Sequence, residues 1–177
     1  MEFMENISKI SKSFLFIAVL FFVLWLGGYV ARHLFLFQLF EPEDLTLSPY
    51  FASQNVLATL YSSLSLIIAN IVTYAIFILF FSLFLLTSKI SLKQEGWLLV
   101  TVLIIYSTAP LEIFLLTFDF NIVVKLLSEN FGQYEMLTLI KERMTLLGSF
   151  PLAEIFSYIF VIFLVLFKPF RLRQNEN

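Results

Sequence analysis

Glu112 is the residue with the clearest potential for chemistry, because it lies inside a long apolar stretch. An ionisable side chain within a bilayer costs at least about 2.5 kcal/mol and marks a functional or structural site. Helical spacing puts three further polar residues on the same face: Thr101, Thr108 and Asp119. We expect this polar face to point toward the interior of a helix bundle or toward water, and not toward lipid.

Pro110 precedes Glu112 by two residues and predicts a kink in the same helix. A proline has no backbone N–H, so the carbonyls near Tyr106 and Ser107 lose their helical partners. Neighbouring polar groups or water are expected to satisfy them.

Three more polar residues lie at corresponding depths of other apolar stretches. Glu154 lies about one turn into the last stretch, and Arg32 and His33 lie near the end of the first. With four spans, these residues and the acids of the third span fall in the same half of the membrane. The sequence therefore predicts a polar cluster, whose members are Glu112, Glu154, Asp119, Arg32 and His33.

This cluster has three interpretations. It could form a proton or cation relay or a polar substrate pocket. It could instead be a structural ion pair of Arg32 with Glu112 or Glu154 that fixes the order of the helices. In the third interpretation, Arg32 and Glu154 reach the lipid headgroups.

Cofactor and enzyme chemistry find little support. The chain has no Cys, which excludes disulfides, thiolate catalysis and Cys-ligated zinc or iron–sulfur clusters. His33 is the only histidine, so one chain cannot provide two histidine ligands to haem, and the methionines lie outside the spans. No Gly-x-Ser-x-Gly motif is present. We expect no cofactor, no metal and no enzymatic activity; an enzyme for lipid substrates has only the carboxylates in its favour.

The composition indicates an integral membrane protein. The 177 residues are 60% hydrophobic and 14% charged, whereas soluble domains are about 45–50% apolar and about 25% charged. A net charge of −2 without a run of basic residues argues against a nucleic-acid partner. The lipid bilayer is the expected environment.

Four apolar segments are long enough to span a bilayer, at 14–35, 56–87, 97–118 and 151–167. The last connection contains a predicted amphipathic helix over 134–147, on which Met136, Ile140, Met144 and Leu147 share one face. Its charged residues, including Arg143, are expected mostly elsewhere on the helix. The predicted fold is an all-α integral membrane protein, a single domain over 1–177 with a bundle of four transmembrane helices.

The distribution of Lys and Arg predicts the orientation. Seven basic residues flank the spans on the side of the termini, and four lie on the other side. The termini side carries Lys9, Lys12, Lys89, Lys93, Lys168, Arg171 and Arg173; the opposite side carries Arg32, Lys125, Lys141 and Arg143. We expect both termini in the cytoplasm and a bacterial inner membrane as the location.

Small residues predict close helix–helix packing. Gly27 and Ala31 form a small-xxx-small pair in the first span, with Gly28 beside them. The second span has a small-residue stripe of Ala58, Ser62, Ser65, Ala69 and Thr73, and Asn70 lies near its centre. A central Asn is expected to donate hydrogen bonds across an interface, with a helix of this chain or of another.

One segment, SKISLKQEGWLLVTVLIIYSTAPLEIFLL, resembles a stretch of bacterial Yip1-like membrane proteins. There, a short basic loop precedes a span with a tyrosine and a following proline; the matching positions are Lys93, Tyr106 and Pro110. That family usually has five spans, whereas four are counted here. The resemblance implies a multi-span protein that acts through partners, without established catalytic residues.

The predicted function is that of a non-enzymatic membrane subunit or scaffold, which packs against other membrane proteins or against itself. The alternative is a small transporter or an ion- or proton-coupling protein that uses Glu112 and Glu154.

Overall fold

A computed structural model describes residues 7–41, 46–51, 53–128, 132–146 and 150–170. This part of the chain is all-helical. It has five α-helices in the order α1 (Lys9–Gln38), α2 (Ser53–Ser88), α3 (Gly96–Ser128), α4 (Gln133–Thr145) and α5 (Phe150–Phe167). An isolated antiparallel bridge joins Phe40 and Leu47 in the first connection, and the described residues contain no strand.

Four helices, α1, α2, α3 and α5, are long and apolar enough to cross a membrane, as the fold prediction requires. The chain is therefore a multi-pass membrane protein by the length and composition of its helices. The 36 residues of α2 correspond to about 54 Å at 1.5 Å per residue, well beyond a hydrocarbon core of about 30 Å. Helix α5 is much shorter than α2, with 18 residues.

Two ends of the bundle can be distinguished. At the termini end, Ser11 of α1 donates a hydrogen bond to Thr87 of α2 at 2.9 Å. This contact places the first turn of α1 beside the last turn of α2, so the two helices are antiparallel. The opposite end, where α1 ends and α4 lies, is called the α4 end.

Helix α3 continues ten residues beyond the predicted span and ends at Ser128. Asn121 and Lys125 make this segment less apolar, but Ile122, Val123 and Leu126 are buried in it. They belong to a core at the α4 end to which Met136 and Ile140 of α4 also belong. Burial of this apolar face favours the continued helix.

Helix α4 occupies most of the predicted amphipathic segment, whose last residue, Leu147, lies outside the described residues. Met136 and Ile140 are buried, whereas Tyr134 and Glu135 are exposed. The helix lies against α3, since its buried face shares the core of the α4 end with residues of that helix.

The small residues of α1 and α2 have two different environments. Gly28 faces α2, where an added Cβ would lie 2.3 Å from Oδ1 of Asn70. Gly27 has no atom within 4 Å of such a Cβ, and Ala31 is exposed beside it. Of the two neighbouring glycines, only Gly28 permits the close approach of α1 to α2.

Most of the stripe on α2 points out of the bundle. Ser62, Ser65 and Ala69 are exposed, as is Ala58, and Thr73 is half-buried. The hydroxyl of Thr73 donates to the Ala69 carbonyl at 2.7 Å, so it is bonded within its own helix. Asn70 is 1% exposed. Its Nδ2 has no hydrogen-bond partner among the described residues, so a bond to another helix of this chain is not found there. A bond to a helix of another chain stays a prediction.

Candidate functional site

Asp119 is the centre of a buried ionic cluster at the α4 end. Its Oδ2 accepts a hydrogen bond from Nη1 of Arg32 at 2.6 Å, and its Oδ1 accepts one from Nε of Arg143 at 3.1 Å. The three side chains are at most 3% exposed. Since Arg32 lies on α1, Asp119 on α3 and Arg143 on α4, one carboxylate joins three helices.

Arg143 is the member of this cluster that the sequence analysis did not identify. It was expected mostly outside the apolar face of its helix, but it is buried together with Met136 and Ile140. Its spacing carried the signal, because it follows Met136 by seven residues and Ile140 by three and so lies on their face. The expectation that Arg143 lies away from the apolar face was therefore wrong.

The charge of Arg143 is maintained by its carboxylate partner. Burial alone would lower the pKa of Arg143, but the neighbouring carboxylates, Asp119 foremost, hold that pKa above its ordinary value. A buried guanidinium is stable only when it is paired.

Arg32 does not form the predicted ion pair with a glutamate. Its salt bridge is with Asp119, and no salt bridge to Glu112 or Glu154 is found among the described residues. The reason is axial position: Arg32 and Asp119 lie at similar distances, roughly 34 Å, from the first residues of α1 and α3. Glu112 lies two turns closer to the termini end.

Glu112 and Glu154 form a separate acidic pair between α3 and α5, nearer the termini end than the ionic cluster. Their side chains belong to residues that are 0% and 1% exposed, respectively. None of the four carboxyl oxygens has a hydrogen-bond partner of normal geometry in the described part of the chain. The two carboxyl groups interact electrostatically with each other and, more weakly, with Arg32 and Arg143.

Aromatic residues surround this acidic pair. Trp25 packs edge-on against Tyr158 with ring centroids 4.9 Å apart. Its ring is tilted against that of Tyr74, with centroids 5.0 Å apart. The hydroxyl of Tyr158 is hydrogen-bonded to Thr108 at 2.9 Å, which ties α5 to the polar face of α3. The Tyr29 hydroxyl is a neighbour of Glu154, but it has no hydrogen-bond partner of normal geometry among the described residues.

The remaining predicted residues have local contacts. Nδ1 of His33 donates to the carbonyl of Tyr29 in its own helix at 2.9 Å, and the His33 ring packs on Tyr29.

Helix α3 continues through Pro110, and the Thr108 hydroxyl donates to the carbonyls of Ile104 and Ile105 just before it. Thr101, Glu112 and Asp119 are buried, and Thr108 is half-buried.

A cavity of about 330 Å³ lies elsewhere in the bundle, nearer the termini end. Its lining is almost wholly apolar, with Phe22, Phe81 and Val161 as representative members, and it includes neither Glu112 nor Glu154. The acidic pair does not line this cavity, and both glutamates are at most 1% exposed. No group of three or more His, Cys, Asp or Glu side chains able to hold a metal ion occurs among the described residues.

Fold and site together define an all-helical, multi-pass membrane protein with buried acidic and basic side chains. Comparison with known proteins finds no matching family model, no matching curated protein and no matching solved structure. The Yip1-like resemblance of the third span remains a prediction.

Proposed function

We propose that this chain is a non-enzymatic subunit or scaffold that packs against other membrane proteins, or against further copies of itself. One observation carries this proposal: most of the small residues that typically mediate helix packing are exposed on the bundle surface. They are Gly27 and Ala31 of α1 and Ala58, Ser62, Ser65 and Ala69 of α2.

Small side chains support association in a bilayer because they let helix backbones approach closely. The hydroxyl of Ser62 donates to the Ala58 carbonyl at 2.9 Å, so it needs no partner in lipid or in another protein. Within the chain, the contact between α1 and α2 uses Gly28 opposite Asn70 and leaves Gly27 open. The exposed small faces are thus available to a second helix.

A pair of alanines on α2 provides a matched test. Ala69 belongs to the exposed stripe, and Ala75 is exposed about 120° away around the same helix. Ala69→Leu should reduce the fraction of protein that purifies in a complex from mild detergent, measured by native mass spectrometry. Ala75→Leu should leave that fraction unchanged. Purification of the wild-type chain only as a stable monomer would contradict the proposal.

The orientation with both termini in the cytoplasm is part of this proposal, as is a bacterial inner membrane. Its support is that the five described basic residues at the termini end flank the helices: Lys9, Lys12, Lys89, Lys93 and Lys168. Two of the four basic residues at the α4 end, Arg32 and Arg143, are buried against Asp119 and add no charge to a loop. Arg171 and Arg173 lie outside the described residues.

A second candidate function is small-solute or ion transport coupled to the acidic pair. It is favoured by one observation, that Glu112 and Glu154 are buried without hydrogen bonds to the described residues. Glu112→Gln should then abolish ion or proton flux in proteoliposomes, while the helix content by circular dichroism stays unchanged. Equal flux in proteoliposomes with and without the wild-type chain would remove this candidate.

A further inference from the structure

The acidic pair, Glu112 and Glu154, has an unbalanced charge. Both residues are fully or almost fully buried, and none of their four carboxyl oxygens accepts a hydrogen bond of normal geometry from a described residue. A buried ionised carboxylate without compensation is very costly in an apolar environment. Two carboxylates that face each other add like-charge repulsion to this cost.

The nearby guanidinium groups do not neutralise the pair. Arg32 and Arg143 are both hydrogen-bonded to Asp119. Nε and Nη2 of Arg32 are buried without hydrogen-bond partners among the described residues, so this guanidinium donates to neither glutamate. Arginine stays charged in proteins. With every group ionised, the three carboxylates and two guanidiniums carry a net charge of −1.

We propose that Glu112 and Glu154 together hold one proton at neutral pH, as a carboxylic acid hydrogen-bonded to a carboxylate. One added proton removes the repulsion between the two glutamates. It also gives a net charge of zero to the group of Glu112, Glu154, Asp119, Arg32 and Arg143. A proton also needs no cavity, in agreement with the burial of both glutamates. The same arrangement, two carboxyl groups sharing one proton, is known from aspartic proteases.

The Tyr29 hydroxyl is an independent sign of a proton site. It is buried, it neighbours Glu154, and it has no hydrogen-bond partner of normal geometry among the described residues. A hydroxyl can donate to the carboxylate member of the pair or accept from its acid member. Titratable or charged groups face the pair from every helix: Tyr29 and Arg32 of α1, Tyr74 of α2, Asp119 of α3, Arg143 of α4 and Tyr158 of α5.

The shared proton makes the stability of the bundle depend on pH. The cluster is neutral while the proton is bound, and its loss leaves a buried negative charge between α3 and α5. Stability is therefore highest on the acidic side of this deprotonation and falls as the pH rises through it. This inference does not rest on the subunit role, and a transport role would use the same pair.

Infrared spectroscopy of the full chain in lipid nanodiscs tests the inference. A protonated carboxylic acid has a carbonyl stretching band that an ionised carboxylate lacks. The wild-type protein should show this band at neutral pH and lose it on alkaline titration. Glu112→Gln and Glu154→Gln should each lack the band, since one remaining glutamate balances the cluster without a proton. Glu135→Gln, which alters an exposed acid of α4, should keep it.

Two results would overturn the inference. One is a wild-type protein without a protonated carboxyl band at neutral pH. The other is a band that persists in both glutamine variants. A missing band together with a thermal stability that depends on Na⁺ or K⁺ at constant ionic strength is a case of the first result. It would show that an alkali cation, and not a proton, balances the charge of the two glutamates. Should the variants fail to fold, the alkaline titration of the wild-type band alone decides.

Discussion

Nη1 of Arg32 lies 2.6 Å from Oδ2 of Asp119, although the two residues are 87 positions apart in the chain. Both are almost fully buried, and the same carboxylate also accepts a hydrogen bond from Arg143. A buried charge that loses its partner is strongly destabilising, whereas an exposed pair contributes little. The Asp119 carboxylate is therefore the expected strongest polar link between α1, α3 and α4.

Replacement of Asp119 tests this link. Asp119→Asn keeps the shape of the side chain but leaves two buried guanidiniums without a carboxylate. We expect it to lower the free energy of unfolding by about 3–5 kcal/mol, measured by denaturation in mixed detergent micelles. Glu142→Gln serves as a control, because Glu142 is exposed and has no salt bridge among the described residues. A variant as stable as the wild-type protein would contradict the assigned role of Asp119.

The two neighbouring glycines of α1 give a second prediction. A Cβ at Gly28 would lie 2.3 Å from Oδ1 of Asn70, whereas a Cβ at Gly27 meets no atom within 4 Å. We expect Gly28→Ala to destabilise the bundle by about 1–3 kcal/mol through overpacking. Gly27→Ala should be neutral or stabilising, since Ala is favoured over Gly in a helix by about 1 kcal/mol.

A double variant separates this contact from other effects. Asn70→Ala should restore much of the stability lost in Gly28→Ala, and a double-mutant cycle measures the coupling between them. Equal effects of alanine at positions 27 and 28 would show that α1 and α2 do not approach as described.

Hydropathy and helical spacing were sufficient for the helix bundle. The four apolar segments predicted the four long helices. Apolar segments of this length are accommodated by a bilayer, where they form spanning helices. The end of α3 was missed, since Asn121 and Lys125 lower the local hydropathy. The helix continues there because Ile122, Val123 and Leu126 are buried. Burial against another element cannot be read from a single segment.

The polar cluster was only partly predictable. Spacing placed Glu112 and Asp119 on one face of α3, and both are buried. Which acid pairs with Arg32 depends on the relative axial positions of the helices. Residue spacing within one helix does not give these positions. Arg32 consequently pairs with Asp119 and not with a glutamate, and Arg143 enters the cluster from a short helix outside the spans.

The ion pair of Lys125 with Glu135 is expected to be weak. Both side chains are partly exposed, and the hydrogen bond and charge of Lys125 hold the pKa of Glu135 below its ordinary value of 4.5. A lowered pKa stabilises the folded state above pH 4.5, and this contribution is lost as the pH falls through the lowered value.

Glu135→Gln should therefore cause a small loss of thermal stability at neutral pH and none in acid. High salt should abolish the loss by screening the exposed charges. Glu142→Gln, which changes another exposed acid of α4, serves as the control. A loss for Glu135→Gln that persists in acid would show that the residue acts through packing and not through its charge.

The absence of cysteine in the sequence allows a direct test of orientation. Gln94 is exposed in the connection at the termini end, and Tyr134 is exposed on α4. With the termini in the cytoplasm, a membrane-impermeant maleimide should label Tyr134→Cys in intact cells. It should label Gln94→Cys only after the membrane is opened. Leu79→Cys, at an exposed apolar position within α2, should stay unlabelled in both cases because it faces hydrocarbon. The reverse pattern would place the termini outside, and labelling of Gln94→Cys and Tyr134→Cys from the same side would contradict a bundle in which consecutive helices alternate in direction.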